Sequence, residues 1–338
     1  MAYGAIRKLM LSQLRLDLLG KDSYRGISLT YAWLANQFGH FGLGFIPALF
    51  LHLAIQRFFP NINDALLLGC FLSAGVWFGF ELFNILWQFS QSKSKKSAFR
   101  PDYRNVIEDT SVDVLFFIYG AMAYGLVMDS RLFFITAMIV LTLVLLFFSV
   151  RWYRIRVYQQ HGNFPFQRRL SQLDTSFSKQ DIEAINNYMS EEATGKHLLI
   201  FGEFEKGKTS LGVAIANEKA IKNKTTYYTT AIKLYSLLDL DNSYQNLPWN
   251  WRSAQYTIID DINPDAHKDV ELIDAKTFMA LYSEGKLGAE NLEVLSKKNF
   301  IWIHGTSQKK SLQRHADWKN ALIHAGVNQE KIYSVILV

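Results

Sequence analysis

The sequence is short of cysteine and carries no recognisable cleavable leader. Its single cysteine among 338 residues is Cys70, which stands inside an apolar run. One cysteine excludes both a disulfide framework and a metal site built from cysteine ligands. The N-terminal stretch MAYGAIRKLMLSQLRLDLLGK is basic and lacks a small-residue cleavage site, so we expect no cleavable signal peptide.

Acidic residues are fewer than basic ones, and the formal net charge is +6. A basic chain can bind nucleic acid. Much of this excess, however, lies beside long apolar runs, where lysine and arginine mark the cytoplasmic loops of membrane proteins. The net charge therefore gives little support to a nucleic-acid partner, which stays an open alternative.

Hydrophobic residues are abundant and unevenly placed. They make up 49% of the chain, and the long apolar runs fall within its first 150 residues. Four runs are long enough to cross about 30 Å of hydrocarbon as helices. The predicted spans are Phe38–Phe59, Ala65–Phe89, Val112–Met128 and Leu132–Val150.

The charges beside these spans predict an orientation. The residues that flank the second, third and fourth spans include Lys93, Lys95, Lys96, Arg100, Arg104, Arg151, Arg154, Arg156, Arg168 and Arg169. The two remaining connections offer only Arg57 and Arg131. All basic clusters then fall on one side, which predicts a multi-pass protein of a bacterial-type cytoplasmic (inner) membrane with both termini in the cytoplasm. Residues 1–30 are predicted either as an interfacial helix or as a packed leader helix.

Several polar residues interrupt the predicted spans. A possible intramembrane site consists of His40, Glu81 and Asp113, because ionisable groups at membrane depth pair with one another or line a cavity. The alternative is that these groups lie near the headgroups or only fix helix packing. The segments GFELFN and NVIEDTSVDVLFFIYGA, within residues 79–121, loosely resemble small bacterial membrane proteins of the VanZ-like kind. No activity is carried over from that resemblance.

A phosphate-binding motif follows in the second half of the chain. The string GEFEKGKT, from Gly202 to Thr209, fits G-x-x-x-x-G-K-[ST] and lies between the apolar run His197–Phe201 and a helix-forming segment. Such a loop aims backbone N–H groups and a helix N-terminus at one anion. The predicted nucleotide-binding residues are Gly202, Gly207, Lys208, Thr209 and Ser210. Lys208 would reach the β- and γ-phosphates of a nucleotide, and the Thr209 hydroxyl would bind Mg²⁺.

The chain around this motif alternates strand and helix patterns, which predicts a parallel α/β sheet. The predicted strands are His197–Phe201, Thr225–Thr229, Tyr256–Asp260, Asn299–His304 and Lys331–Val338. Five strands with a phosphate loop after the first are the minimal core of a P-loop NTPase, for which we expect the order 5-1-4-3-2. Ahead of it, Ser178 to Asp181 reads S-x-x-D and predicts the start of a short helix.

Acidic residues end the third predicted strand, YTIIDD. Asp260 would hold the hydrated Mg²⁺ ion, and Asp261 would polarise the attacking water. His304 and Thr306, at the end of the fourth strand, are candidates to sense the γ-phosphate; alternatively they only cap the strand.

The segments LLIFGEFEKGKTSLGVAIANEKAIKNKTTYYTTAIKLYSLL, YTIIDDIN and NFIWIHGTS resemble the ATPase core of the DnaC/IstB helicase-loader and DnaA-like branch of AAA+ proteins, over about residues 195–310. The acid pair and a Y-x-T-x-x-x-L pattern carry most of this resemblance. It implies Walker A roles for Lys208 and Thr209, Walker B roles for Asp260 and Asp261, and a sensor role for Thr306 or His304.

The sequence departs from that family in three respects. Glu205 stands where this branch usually has glycine, and Glu203 adds a second acid near the phosphates. The chain ends at the fifth predicted strand, so we expect no C-terminal helical lid. No arginine finger is identified: Arg252 and Arg314 are candidates no better than any solvent-exposed basic residue. The string GEFxxGKTS is also similar to dynamin-like GTPases, yet neither D-x-x-G at the right place nor N-K-x-D follows, which favours ATP.

The sequence thus predicts a four-span α-helical membrane domain and an α/β P-loop domain. The predicted segments are an N-terminal segment (1–30), the membrane domain (31–150), a basic linker (151–195) and a cytoplasmic ATPase domain (196–338). The predicted function is a membrane-anchored, Mg²⁺-dependent ATPase that couples nucleotide state to assembly or conformational change. The expected partners are membrane lipid and a second subunit or protein that completes the ATP site. A nucleotide-regulated transporter, channel or membrane effector and a non-hydrolysing nucleotide-dependent scaffold are the alternatives.

Overall fold

The computed structural model describes residues 3–19, 27–94, 98–100, 102–190, 194–240, 248–263, 273–306 and 311–337. The chain divides into two compact units. Unit 1 comprises Met1–Lys96 and Pro101–Val157, and unit 2 comprises Ser97–Arg100 and Tyr158–Val338.

Unit 1 is helical. Its helices are α1 (Tyr3–Leu19), α2 (Leu29–Phe58), α3 (Ala65–Ser94), α4 (Tyr103–Met128) and α5 (Leu132–His161), the last of which continues into unit 2. The helices α2 to α5 are long and apolar enough to cross a membrane. The prediction of four apolar helices of spanning length is therefore confirmed.

Two of these helices begin earlier than the apolar runs suggest, because polar residues cap them. Ser28 caps α2 by accepting a hydrogen bond from the Tyr31 N–H at 3.0 Å, and Asp102 caps α4 by accepting one from Asn105. A side chain that satisfies a free N–H group of the first turn fixes the helix start. Hydropathy marks the apolar centre of a helix but misses such a polar first turn.

Glycine brings α2 and α4 close together. A Cβ atom at Gly44 would lie 2.0 Å from the Phe117 carbonyl oxygen, and one at Gly120 would lie 2.0 Å from the Phe41 carbonyl oxygen. Small residues allow this approach between apolar helices, whose association in lipid depends on close packing. The contact is therefore specific to glycine at both positions.

Helix α1 packs against the rest of unit 1. Asp17 is buried; its carboxylate accepts hydrogen bonds from Tyr153 Oη at 2.8 Å, Ser28 Oγ at 2.9 Å and Gln13 Nε2 at 2.8 Å. Of the two predictions for this segment, a packed leader helix describes α1 better, although its Leu11 side chain is exposed.

Unit 2 contains a parallel sheet. Its strands are β1 (His197–Gly202), β2 (Thr226–Thr230), β3 (Tyr256–Ile262), β4 (Asn299–Gly305) and β5 (Ile332–Leu337), and they lie in the order β2-β3-β4-β1-β5. This is the predicted order read from the opposite edge, so the predicted sheet is confirmed.

Helices cover both faces of this sheet. They are α6 (Lys179–Met189), α7 (Lys208–Ile221), α8 (Ala231–Tyr235), α9 (Ala275–Ser283), α10 (Gly288–Lys297) and α11 (Ser311–His324). Ile303 of β4 packs into the same apolar core as Leu211 of α7. The next residue along the strand toward its start, Trp302, points to the other face and contacts Trp318 of α11, with ring centroids 5.9 Å apart. Burial on both faces explains why the strands read as continuous apolar runs.

The predicted start of α6 is also as expected. Ser178 Oγ accepts a hydrogen bond from the Asp181 N–H at 3.1 Å, and Asp181 Oδ2 accepts one from the Ser178 N–H at 3.0 Å. This is a reciprocal capping box.

Candidate functional site

The loop between β1 and α7 has a left-handed turn immediately before the helix. Gly207 has φ +79° and precedes Lys208, the first residue of α7. Glycine adopts this conformation without the steric cost that a Cβ atom would bring. The Lys208 ammonium donates a hydrogen bond to the Glu203 carbonyl oxygen at 2.5 Å, so the side chain crosses the loop. The turn leaves the N-terminus of a four-turn helix at the open edge of the sheet.

Glu205 has an unusual backbone conformation in this loop. Its φ is +62°, in the left-handed region, and its side chain is exposed. Left-handed conformations cost an L-residue about 1–2 kcal/mol. Glycine would adopt the same conformation without that cost, so glutamate at this position strains the loop.

The two acids at the end of β3 lie in a β-bulge. Ile259 pairs with Trp302, but Ile262 pairs with His304, so the β3 strand holds one extra residue between those pairs. Asp261 has φ +57° at this irregularity. A bulge interrupts the alternation of side chains between the faces and redirects a side chain. Asp260 is thus buried, while Asp261 is exposed at the sheet edge.

The Asp260 carboxylate is held by two donors. Tyr228 Oη donates a hydrogen bond to Asp260 Oδ2 at 2.7 Å, and the Asp261 N–H donates one to Asp260 Oδ1 at 2.8 Å. Burying a carboxylate without such donors costs free energy. Its orientation is therefore fixed by β2 as well as by β3.

These elements meet around a cavity of about 350 Å³. Its lining consists of Phe166, Phe204, Glu205, Gly207, Lys208, Thr209, Ser210, Asp260, Asp261, Ile303 and Gly305. The structure thus brings together the four consecutive residues from Gly207 to Ser210 with both predicted acids. Gly202 lies outside this lining, at the end of β1, where a Cβ atom would meet the Leu337 carbonyl oxygen at 2.7 Å.

Burial and charge shift two titrations in the cavity. Burial lowers the pKa of the Lys208 ammonium, against the opposing effect of Asp260, Asp261 and Glu203. Burial raises the pKa of Asp261, and the nearby Asp260 charge raises it further, while Lys208 acts in the opposite direction. A carboxylate with a raised pKa is a better proton acceptor than a free aspartate.

The two sensor candidates lie elsewhere. His304 is buried on the sheet face that α11 covers; its ring stacks on Phe201 at 4.6 Å and contacts Trp318 at 4.3 Å between centroids. Burial, and secondarily the charge of Arg314, holds the pKa of His304 well below its usual value, so the ring is neutral. Thr306 is buried, and its N–H donates to the Gly202 carbonyl oxygen at 3.1 Å. Neither side chain is among the described residues that line the cavity.

The two candidate arginine fingers, Arg252 and Arg314, are both buried. Arg252 donates hydrogen bonds to the Leu240 carbonyl oxygen at 2.7 Å and to Asn291 Oδ1 at 3.0 Å, and its guanidinium stacks over Trp251. Arg314 donates to the Gly305 carbonyl oxygen at 3.2 Å. Buried guanidinium groups need several acceptors, and backbone carbonyls supply them here.

Two lining or supporting residues had no role in the sequence interpretation. Tyr228 opens the Y-x-T-x-x-x-L pattern, but nothing local indicates that its hydroxyl bonds Asp260. Phe166 precedes the phosphate loop by 36 residues (166 to 202) and reaches the cavity because the chain before it runs along β2: the Tyr228 N–H donates to the Gly162 carbonyl oxygen at 2.9 Å. Only tertiary structure brings these residues to the site.

The predicted intramembrane residues are paired only in part. His40 Nδ1 lies 3.1 Å from Asp113 Oδ1, to which Gln37 also donates a hydrogen bond at 3.2 Å. Glu81 instead accepts a long hydrogen bond, 3.5 Å, from Asn84. Among the described residues, these ion-pair and hydrogen-bond contacts therefore do not join Glu81 to the His40–Asp113 pair.

Comparison with known proteins adds a weak structural likeness. No protein-family model matches the chain, and no curated protein does. The crystal structure of DnaI aligns with 50% of this chain and 87% of its own, at 18% sequence identity and a TM-score of 0.31. A likeness of that size carries no functional conclusion, so function is inferred from the geometry of the site.

Proposed function

We propose that this chain is a Mg²⁺-dependent ATP-binding protein that hydrolyses ATP and is anchored in a membrane by its helical unit. Four helices that could span a membrane support the anchoring. The position of the nucleotide site on the cytoplasmic side rests on the distribution of lysine and arginine, and it is part of the proposal.

One observation carries the nucleotide site: two separate chain segments converge on one cavity at the carboxyl edge of the parallel sheet. The loop after β1, with the start of α7, supplies Lys208 and Thr209, and the end of β3 supplies Asp260 and Asp261. Ligands of open α/β sheets bind at this edge. The motif and the acids lie about fifty residues apart in sequence, so their meeting is independent support for the sequence interpretation.

The residues present fit a magnesium triphosphate. Free N–H groups of the first turn of α7 and the Lys208 ammonium suit phosphate oxygens. Glycine also suits position 207 of this loop, because a Cβ atom there would meet Thr175 Oγ1 at 3.0 Å. The Thr209 hydroxyl and an Asp260 oxygen are the hard ligands that Mg²⁺ prefers, with waters and phosphate oxygens completing its shell. Bound Mg²⁺ would neutralise charge on the phosphates.

Each acid has a separate task in this proposal. Asp260, oriented by Tyr228, holds the ion's hydration shell, and Asp261, exposed to the cavity, orients the attacking water and accepts its proton. The raised pKa of Asp261 favours proton acceptance. ATP rather than GTP is proposed because the sequence lacks the guanine-reading motif.

The test is nucleotide binding and ATP turnover by the full-length protein in detergent. We expect Lys208→Ala to abolish binding and Asp261→Asn to permit binding without turnover. Lys206→Ala is the matched control, because Lys206 is an exposed lysine of the same loop that does not line the cavity. Full turnover by the Lys208→Ala protein would rule out this site.

The charges that line the cavity support a requirement for a further positive group. Among the described lining residues, Lys208 is the one cationic side chain. Phosphoryl transfer is usually accelerated by a further positive group, often supplied by a neighbouring subunit. We therefore include in the proposal a second copy or a partner protein that completes the site.

Concentration dependence tests that requirement. Turnover per molecule should rise with protein concentration, and adding Lys208→Ala protein, which is expected to bind no nucleotide itself, should raise the turnover per wild-type molecule if one copy completes the site of another. A protein that binds ATP without turnover under all these conditions would instead be a nucleotide-dependent scaffold. Adding single- or double-stranded DNA to the same assay tests the nucleic-acid alternative.

A further inference from the structure

Unit 1 contains a cavity that the nucleotide site does not use. It has a volume of about 410 Å³ and lies between α1, the start of α2 and the middle and last thirds of α5. Its lining consists of Ile6, Arg7, Met10, Leu11, Leu14, Trp33, Leu34, Leu146, Ser149, Val150, Tyr153 and Arg154. Pockets for small organic ligands span roughly 300–1,000 Å³, so this cavity is large enough for part of a lipid chain.

The walls of this cavity are fixed by a polar network beside it. Tyr153 lines the cavity and donates its hydroxyl hydrogen to Asp17, which also accepts hydrogen bonds from Gln13 of α1 and from Ser28 at the start of α2. Asp17 is buried. This network joins all three helices, so α1 is held in place over the cavity.

The lining is aliphatic and aromatic except at Ser149 and two arginines. Arg7 of α1 and Arg154 of α5 both line the cavity, and the described lining contains no carboxylate. An apolar cavity with two positive groups and no negative one fits a ligand that has an aliphatic body and an anionic head.

Unsatisfied donors indicate where an oxygen atom of such a ligand would bind. Trp33 is 6% exposed, and its Nε1–H has no acceptor among the described residues. Arg154 Nε is buried and also lacks an acceptor there. Buried donors without partners are uncommon and costly in folded proteins. Both belong to residues that line this one cavity.

We infer that the cavity binds one acyl chain of an anionic phospholipid, with the phosphate between Arg7 and Arg154. The aliphatic residues Met10, Leu14 and Leu34 contact the chain. Transfer of an acyl chain from the bilayer into the cavity gains little hydrophobic free energy, because both surroundings are apolar. Selectivity for an anionic lipid therefore comes from the two arginines, independently of the nucleotide site.

The expected effect of each arginine is a change in lipid retention. Attraction between an anionic lipid and one basic side chain near the surface corresponds to about a fivefold change in binding. Arg154→Gln should lower retention of phosphatidylglycerol about fivefold, and the Arg7→Gln, Arg154→Gln double variant should lower it by more than tenfold.

The experiment places the full-length protein in nanodiscs of equal parts phosphatidylglycerol and phosphatidylcholine with identical chains. Native mass spectrometry of the released protein counts the lipids that remain bound. The matched control is Arg15→Gln, an exposed arginine of α1 outside the cavity lining. A second variant, Leu14→Trp, fills the apolar part and leaves both arginines in place.

The expected result is retention of one phosphatidylglycerol by the wild type and by Arg15→Gln, the predicted fall in retention in Arg154→Gln, and loss of the lipid in Leu14→Trp. Equal loss in Arg15→Gln and Arg154→Gln would overturn the inference, because it would indicate general surface attraction. Retention of phosphatidylcholine as often as phosphatidylglycerol, or unchanged retention in Leu14→Trp, would also overturn it.

Tryptophan fluorescence of the wild-type protein tests the inference without relying on variants that are destabilised. Phosphatidylglycerol with brominated acyl chains should quench a part of the tryptophan fluorescence that is absent in Trp33→Phe. Quenching that is the same in wild type and Trp33→Phe would exclude an acyl chain beside Trp33.

Discussion

Replacing Glu205 separates two costs that this residue imposes on the proposed nucleotide site. The first is its left-handed backbone, with φ +62°. The second is its negative charge in the lining of the same cavity as Lys208. Glu205→Gln removes the charge and keeps the β-carbon, whereas Glu205→Gly removes both.

The magnitudes of the two effects differ. Relief of the left-handed conformation is worth about 1–2 kcal/mol. The greater freedom of glycine in the unfolded chain offsets about 0.5–1 kcal/mol of that, so Glu205→Gly should stabilise the folded state by at most about 1 kcal/mol. For binding, a unit charge about 8 Å away in a water-like dielectric contributes about 0.5 kcal/mol. A magnesium triphosphate with about two net negative charges would then bind about fivefold more tightly to either variant.

The assay is ATP affinity by calorimetry at low and high salt, together with thermal denaturation of the full-length protein. We expect tighter binding by both variants at low salt and a smaller gain at about 1 M salt, where the Debye length falls to about 3 Å. Only Glu205→Gly should raise the denaturation temperature. Glu183→Gln, an exposed acid of α6 outside the cavity lining, should change neither quantity.

Two results would refute this reasoning. Unchanged or weaker ATP binding by Glu205→Gln at low salt would show that the charge does not oppose the nucleotide. A denaturation temperature of Glu205→Gly below that of Glu205→Gln would show that the backbone at this position carries no removable strain.

Three further predictions concern the framework of the two units. Tyr228→Phe leaves the Asp260 carboxylate without one donor and should lower the free energy of unfolding by about 1–2 kcal/mol. Denaturation measures this change, with Tyr333→Phe as the control. An effect no larger than that of the control would contradict the role of this hydrogen bond. Burial lowers the pKa of His197 to about 4, so the unfolded state binds more protons between pH 6.5 and 4, and stability should fall by about 3 kcal/mol as pH drops through that window. The non-titrating His197→Gln protein should lack that part of the pH dependence, and parallel curves for the two proteins would exclude it. Gly120→Val must push α2 and α4 apart and should lower stability in detergent by about 1–3 kcal/mol. Gly75→Val is the control and should be nearly neutral, because a Cβ atom there meets nothing within 4 Å. Equal effects of the two substitutions would refute the close contact between α2 and α4.

The strands could be predicted because buried parallel strands and the helices between them leave a strong pattern in sequence, whereas their order was expected from the likeness to P-loop NTPases. The string from Gly202 to Thr209 and the acids at Asp260 are local motifs in the same way. The helix starts at Leu29 and Tyr103 were less visible, because their caps lie outside the apolar runs.

The environments of other residues depend on distant chain segments. Side chains alternate between the two faces of β4, and His304 lies on the face that α11 covers. Its position at the end of the strand could not by itself indicate that it lies away from the cavity. Arg252 is buried because several backbone carbonyls of residues 237–240 accept its hydrogen bonds. No local composition encodes either arrangement.

Tyr228 occupies the edge strand and takes part in two hydrogen bonds of different kinds. Its amide bonds the carbonyl of Gly162, one residue after α5 ends, and its hydroxyl bonds Asp260. A shift of the chain at Gly162 therefore acts on the same residue that orients the acid. Amide hydrogen exchange at Tyr228 would consequently report at a single site on the predicted membrane-proximal segment and on the proposed nucleotide site. Slower exchange on addition of ATP would show that both become more rigid together.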